Sequence, residues 1–529
     1  MYSNTWDEPE HLAAGIELLD RGKYEYDTEH PPLGRVFLAI GPYLAGARSF
    51  GTPPPEGTPE GLHILYVKGA YWRDLTLARL GMLPFLVLLL TTTWLWARRL
   101  LPSEGAALLA VVLTVSVPPV LGHAALASLD VAAAATTLLA LYALQRWLVS
   151  ARLSDAVFFG LASGVAVVTK FSSVPFIGVS LIALSLAHWA TLRGTRLTHA
   201  ATVAAPARAD PTIWRRRVGG LALAALLGLA PVWLVYGPRV ADPAGVAFRF
   251  NWAVSYLLQQ HGLAHAFGVL LSHLWLPREL KDLVNGVVAV KAHNDSGHLS
   301  YLLGETRLTG WWYFYLVALA VKTPIPLLIA GPVGLVALAL GAAHLTVRLW
   351  RALRAPGAAA GAGVGAGAGA GAGATDVSPT VRQMPNHPLN RLKNLRILGM
   401  AAVLAALVWQ LSTLWRAWPD YLPYFNELVA HPERVLVDSD LDWGQDLHRL
   451  EARASQLCIG HLNLAYRGTA DLRREPLPPV HILAPHERAA GWVAVSQLAR
   501  TRNHSDYDWL DAYDPVERVG KTIDLYYLP

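Results

Sequence analysis

Long apolar blocks, most of them separated by short basic turns, run from about residue 80 to about residue 415, after which the pattern shortens and becomes mixed. Spans are predicted near 80–98, 105–121, 124–148, 156–170, 172–191, 218–237, 324–347 and 396–414. Crossing a bilayer core of about 30 Å takes roughly 18–20 residues, so those near 105, 156 and 396 are borderline. The one near 156 reads as a short or tilted helix that ends inside protein, where its backbone groups are satisfied. The apolar stretch at 311–322 is too short to cross alone and predicts a half-helix leading into Pro324. Beyond Trp418, short strands and helices are expected to alternate: RVLVDSD, a helix beginning near Trp443, then HLNLAY, VHILAP, GWVAVSQLA and TIDLYYL. That is the pattern of a small α/β domain.

Arginines give the expected orientation. Arg98 and Arg99, Arg146 and Arg152, then Arg193, Arg196, Arg208 and Arg215 to Arg217 fill successive turns. Arg348, Arg351, Arg354, Arg391, Lys393 and Arg396 bracket the last one. With eight spans all these turns fall on one side, which the positive-inside rule makes cytoplasmic. The expected organisation is an outward N-terminal segment 1–79 and a transmembrane core 80–348 carrying an outer loop 238–323. A cytoplasmic Gly/Ala-rich linker 349–395, a last transmembrane helix 396–414 and an outward α/β domain 415–529 complete it. The Gly/Ala run at 357–374 has no side chains with which to build a site and reads as a flexible connector.

Composition fits a lipid environment: 53% of residues are hydrophobic and only 16% are charged. The single cysteine, Cys458, excludes an internal disulfide framework and a Cys-rich zinc module. The net charge of +6 sits in the loops between apolar blocks, as a topology signal does, and does not point to nucleic acid. No signal peptide opens the chain; Met1 runs directly into the polar segment TWDEPEH.

Candidate chemistry lies on the outward segments. In TWDEPEH, Asp7 reads either as a general base for an acceptor hydroxyl, with Glu8 or His11 orienting that hydroxyl or a metal, or as a helix cap before Pro9. His30 stands before two prolines that stiffen the backbone. With Glu29 it suits a phosphate oxygen or a metal; the alternative is a rigid turn with Arg35 anchoring to headgroups. Asp130 and Lys170 sit at the edges of apolar spans, where a charge ordinarily faces a cavity or a partner unless it reaches the interface. In the outer loop, Arg307 and Lys322 suit a lipid-linked phosphate, because cations stabilise the charge that develops on a departing group. Trp311, Trp312 and Tyr313 read as an interfacial belt, or as a surface for sugars or a polyprenyl chain. His293 and His298 are separated by NDSG, which reads as a loop and makes a weak metal-ligand pair. Asp438, Asp440 and Asp442 alternate but lack the Gly and Glu of a calcium loop; a strand-to-helix turn is expected, with Asp442 capping the helix at Trp443.

The acidic pair Asp7–Glu8, HPPLG at 30–34, Asp130, the TKFS turn at 169–172, and YLLGE, GWWYF and KTP between 301 and 324 together resemble glycosyltransferase family 39. YFNEL at 424–428, VDSDLDWGQDL at 437–447 and GWVAVS at 491–496 resemble a bacterial branch of that family. The resemblance implies a mainly α, polytopic GT-C membrane fold with a small C-terminal α/β extracytoplasmic domain. It also implies inverting transfer of a sugar from a polyprenyl-phosphate donor, on an undecaprenyl or dolichyl carrier, to a hydroxyl of a protein or glycolipid acceptor. Asp7 then matches the catalytic base, with Glu8 beside it in the acceptor site and Asp130 as the second acidic residue. Glu29 and His30 match positions near the donor phosphate and a divalent metal (Mg, Mn or Zn), and Lys170 and Lys322 are looser matches.

The chain departs from that family in two places. Relatives carry a transmembrane helix before the acidic pair, so either translation starts upstream of Met1 or the segment 1–79 crosses without a leading helix. They also carry further apolar helices where this chain has its Gly/Ala linker. Other expectations are a non-catalytic lipid-carrier binder or transporter, although no inverted repeat of interrupted helices is visible. An oligosaccharide ligase would need a larger outer domain than the tail provides.

Overall fold

The computed structural model describes residues 2–202, 211–237, 243–334, 336 and 387–529. They fall into two compact units, one comprising Met1–His188, Asp210–Pro324 and Leu414–Pro529, the other Trp189–Ala209 and Ile325–Thr413. The described chain is mainly helical with a small sheet region. The second unit contains α16 (Ile325–Gly334) and most of α17 (His387–Ala417). The predicted span 324–347 is only partly described; its remainder, Arg208, Arg348, Arg351, Arg354 and the Gly/Ala linker lie outside the described residues.

In the larger unit the N-terminal segment folds into four helices: α1 (Glu8–Arg21), α2 (Pro32–Leu44), α3 (Gly57–Tyr66) and α4 (Tyr71–Leu80). Pro9 and Pro32 sit in the first turns of α1 and α2, where a missing N–H costs nothing. The two helices approach closely: a Cβ on Gly15 would lie 2.2 Å from the Arg35 carbonyl. After them come α5 (Leu83–Leu100), α6 (Glu104–Val115), α7 (Pro118–Ala124), α8 (Asp130–Ser150), α9 (Leu153–Val167), α10 (Ser173–Thr202) and α11 (Pro211–Tyr236).

Among the described residues, four helical stretches are long and apolar enough to cross a membrane: Tyr71–Leu100, Asp130–Ser150, Arg215–Tyr236 and Ile397–Ala417. The number rises to six if each of two bent pairs is one span. One pair corrects the expected straight span at 105–121: α6 and α7 meet at 67°. Val117 precedes Pro118 and is extended, as a residue before proline prefers to be. The expected span at 124–148 accordingly starts later, at Asp130. Helix α9 is short, as expected, and crosses α11 through small residues: Cβ atoms on Gly160 and Gly164 would each lie 2.2 Å from carbonyls of α11. Outward-facing Val87, Phe176, Leu226 and Leu234 are exposed, the apolar surface lipid would cover.

The outer loop supplies α12 (Pro243–Leu258), α13 (Leu263–His273), α14 (Arg278–Ser296), a two-stranded hairpin β1 (Ser300–Leu302) and β2 (Glu305–Arg307), and α15 (Phe314–Lys322). The half-helix expected before Pro324 is therefore present as α15. The NDSG segment is not a free loop: α14 continues through Ser296 and keeps His293 in its last turn.

The tail contains α18 (Leu447–Gln456), α19 (Gln497–Arg502) and a five-stranded sheet of β3 (Leu462–Ala465), β4 (Val480–Ile482), β5 (Gly491–Ser496), β6 (Glu517–Val519) and β7 (Ile523–Leu528). Its order is β4-β3-β5-β7-β6, with β3 parallel to β4 and β5 and the β5–β7–β6 side antiparallel. Two expectations change here. RVLVDSD forms short 3-10 turns at Pro432–Arg434 and Asp438–Asp440, not a strand. The helix begins at Leu447, and Asp442 does not cap it; its carboxylate accepts from the Gly444 and Leu498 N–H groups and ties the turn to α19.

The three segments expected on one side pack together. Ser3 and Trp6 donate backbone hydrogen bonds of 3.0 Å to Gln445 and Trp443, and Leu303 donates one of 2.9 Å to Val435. Asn426 donates its side-chain amide to the Ala320 and Thr323 carbonyls. On α8, Asp130 opens the helix and Arg146 lies in its penultimate turn, about 24 Å of helical rise away. Arg146 there pairs with Asp155 at 2.6 Å.

A buried ion pair joins the N-terminal segment to α4 and to the turn before α8. Glu8 accepts from Arg79 Nε and Nη2 at 2.8 Å each, and from the Thr5 and Ala127 N–H groups at 2.8 and 2.7 Å. Glu8→Ala leaves Arg79 buried and unpaired and is expected to cost about 3–5 kcal/mol, read as a lower unfolding midpoint in detergent; Glu8→Gln is expected to cost less.

Candidate active site

Asp7 precedes α1 and makes no capping hydrogen bond, which removes the cap reading of its side chain. Its carboxyl is pushed up to about 6, first by burial, then by the negative charges of Asp130 and Asp438, against the pull of Lys170 and Arg35. Residues from four other parts of the chain thus face one acid. A carboxylate of that acidity is largely ionised at neutral pH yet basic enough to accept a proton.

Asp130 is held from two sides. Lys170, just beyond α9, donates to one oxygen at 2.7 Å, and His123 of α7 stands 3.3 Å from the other. Its side chain nevertheless keeps 41% of its surface accessible, so the group is not sealed in the core. Asp438 faces His298 and Arg502 and adopts a left-handed backbone (φ 59°), unusual for a residue other than glycine.

A second cluster adjoins Asp7 through α1. Arg35 is fully buried, and its guanidinium donates to Tyr24 and the Asp27 carbonyl at 2.8 and 2.7 Å, to His11 Nδ1, and to the Asp27 carboxylate. Burial favours the neutral Asp27 carboxyl, but Arg35 and His30 outweigh it and hold Asp27 well below the usual carboxylate range. His30 Nδ1 lies 3.0 Å from the same carboxylate, which leaves Nε2 as the free ring nitrogen. Burial lowers His30, with the Asp27 bond opposing. Glu10 lies within electrostatic reach of both clusters. Burial and Asp27, then Asp7 and Glu29, push it up to about 7 despite Arg35.

The expected site residues therefore divide. Asp7, Asp130 and Lys170 converge, and Arg35 lies within electrostatic reach. Glu8 is adjacent, but four donors occupy its carboxylate; burial alone raises it, and Arg79 with the N–H donors brings it below the ordinary value. Its place is structural. Arg35 likewise has its donors committed to protein, so it shapes the 24–30 loop and leaves little for a phosphate. Lys322 donates to the Leu422 and Asp440 carbonyls at 3.1 and 2.5 Å and sits over the Phe425 ring, joining α15 to the tail. Arg307 is exposed on the hairpin, paired with Glu305 at 2.7 Å, and has no contact with the Asp7 cluster.

Glu29, His293 and His298 do come together: Glu29 lies 3.2 Å from His293, whose ring stacks with His298 at 5.9 Å between centroids. Among the described residues, however, no three His, Cys, Asp or Glu side chains converge closely enough to hold a metal ion. No step is assigned to one. The residues that sequence reasoning missed are Glu10, Asp27, His123 and Asp438. Glu10, Asp27 and His123 lie near a chosen position in the chain and Asp438 lies near none, and the roles of all four depend on contacts between elements.

Asp7 is expected to react with a water-soluble carbodiimide as a group half-protonated near pH 6, with mass spectrometry as the readout. Asp130→Asn removes a neighbouring negative charge and is expected to move that midpoint down. A wild-type midpoint at about 4, the value of an ordinary Asp, would contradict this geometry. No protein-family model, curated protein or solved structure matches the chain.

Proposed function

We propose that this protein is a multi-pass membrane glycosyltransferase with a GT-C fold, transferring a sugar from a polyprenyl-phosphate donor to the hydroxyl of a protein or glycolipid acceptor. The supporting observation is Asp7: an uncapped carboxylate of near-neutral acidity, set beside a Lys170–Asp130 pair in a crevice at one end of several apolar helices. Basic residues gather at the opposite end of α8, so the positive-inside rule favours an extracytoplasmic crevice in a plasma membrane.

In this reading Asp7 takes the proton of the acceptor hydroxyl as its oxygen attacks the anomeric carbon. The bond from that carbon to the phosphate oxygen breaks, and the polyprenyl phosphate departs with the electron pair. Attack from the face opposite the leaving group inverts the anomeric configuration. Lys170, which keeps donors beyond its one bond to Asp130, stabilises the growing phosphate charge. Asp130 and His123 position Lys170 and need not touch substrate. His293 and Glu29 line the approach from α14, and a divalent metal, if required, would have to draw these side chains closer.

The test is transfer from a panel of polyprenyl-phosphate sugars by purified protein in lipid. Asp7→Asn is expected to lower turnover about 10²–10⁴-fold, the range for loss of a general base. Wild-type activity is expected to fall below pH 6, as Asp7 is protonated. Full turnover by Asp7→Asn would remove this residue, and the proposed chemistry, from the protein.

A further inference from the structure

Helix α14 carries polar groups that the account above does not use. Asp282 and Asn285 are more than nine-tenths buried, yet Asp282 Oδ2 and Asn285 Oδ1 have no hydrogen-bond partner among the described residues. Arg249 of α12 binds the other Asp282 oxygen at 3.3 Å, and its own Nε is likewise unpartnered. Arg278 Nε, one turn before Asp282 on α14, is a further unpartnered donor. Buried polar atoms left unsatisfied are rare in folded proteins, so four along two packed helices call for a ligand or water.

Their position ties them to the candidate active site. Asp282, Asn285, Gly286 and His293 follow helical spacing along one face of α14. A Cβ on Gly286 would lie 2.7 Å from the Thr28 carbonyl and 2.5 Å from the ring of Phe171. The helix thus lies directly against the loop holding Asp27, Glu29 and His30 and against the neighbour of Lys170. Farther along the same face, His293 meets Glu29. Tyr236 lies within electrostatic reach of Asp282 on one side and of Tyr24 and Asp27 on the other.

The mixture of groups selects the ligand chemistry. A phosphate offers only acceptors and would be repelled by Asp282, and a polyprenyl chain offers no hydrogen bonds. A sugar hydroxyl both donates and accepts, and so satisfies carboxylate and amide oxygens alongside guanidinium N–H groups. We infer that the α12–α14 face formed by Arg249, Arg278, Asp282 and Asn285 is a sugar-recognition subsite that reads the hydroxyls of the donor's glycosyl group. This rests on the glycosyl-transfer reading and adds to it which residues select the sugar.

The experiment measures binding, not transfer. The full chain in nanodiscs is titrated with bare undecaprenyl phosphate and with the same carrier bearing a hexose, a pentose or an amino sugar. At least one glycosylated carrier is expected to bind about tenfold or more tightly than the bare one, as one or two added hydrogen bonds to charged or buried groups allow. Asn285→Leu and the isosteric Asp282→Asn are each expected to erase most of that preference while bare-carrier affinity stays unchanged. Unchanged bare-carrier affinity also shows that the variant is folded; if Asn285→Leu loses it, Asp282→Asn decides.

A preference that survives Asp282→Asn, or a wild type that binds every glycosylated carrier no better than the bare one, overturns the inference. Such a result leaves the role of Asp7 standing, because that role is judged by turnover of Asp7→Asn. Conversely, a sugar preference that depends on Asp282 in a protein whose Asp7→Asn variant keeps full turnover supports the subsite and sinks the catalytic assignment.

Discussion

The ion pair between Glu8 and Arg79 sets the geometry of everything around it. Four donors converge on one buried carboxylate, and they come from the N-terminal segment, from α4 and from the turn before α8. Asp7 is the residue before Glu8, and Asp130 lies three residues beyond Ala127, so the same anchor that joins these segments also brings the two acids face to face. A buried pair of this kind adds little net stability, since desolvation offsets most of its attraction. Its effect is positional: once the partners are out of water, any arrangement that separates them leaves a charge stranded.

Around that anchor the structure keeps two kinds of acid apart. Glu8 and Asp27 are surrounded by donors, held in their charged forms, and serve as fixed points. Asp7 and Glu10 are buried near other carboxylates with too few cations to compensate, and both are pushed toward neutrality. Separating acidities among neighbouring carboxylates in this way leaves one set as fixed charges and lets the other exchange protons near neutral pH. The tail domain contributes directly, since the negative charge of Asp438 is among those that raise Asp7.

Much of this was legible in the sequence, for a physical reason. Asp130 and Lys170 stand out because a charge at the edge of an apolar block is costly unless it meets a partner, and each proved to be the other's partner, whereas Asp7 stands out from its acidic segment. The half-helix before Pro324, the short α9 and the α/β tail also followed from length and periodicity. What pattern alone could not reveal were contacts across long separations, such as Arg79 with Glu8 or Arg502 with Asp438. RVLVDSD misled because its alternation mimics a strand, while its backbone turns to place Asp438 in the crevice. The α6–α7 bend was encoded in Val117-Pro118-Pro119, but the apolar run around it masked the break. The orphan atoms of α14 had no signal at all, because Asn285 and Asp282 look like ordinary polar positions on an amphipathic helix.

The central claim is that acids far apart in sequence line one water-filled crevice on a single membrane face. Single cysteines placed at positions 7, 130 and 438 in a Cys458→Ser background, exposed to a membrane-impermeant maleimide from one side and then the other, test it most directly. The account predicts that all three react from the same face and that a bulky adduct at any one slows the other two. Labelling of position 130 from the opposite face to position 7, or independent reaction at all three, would contradict it.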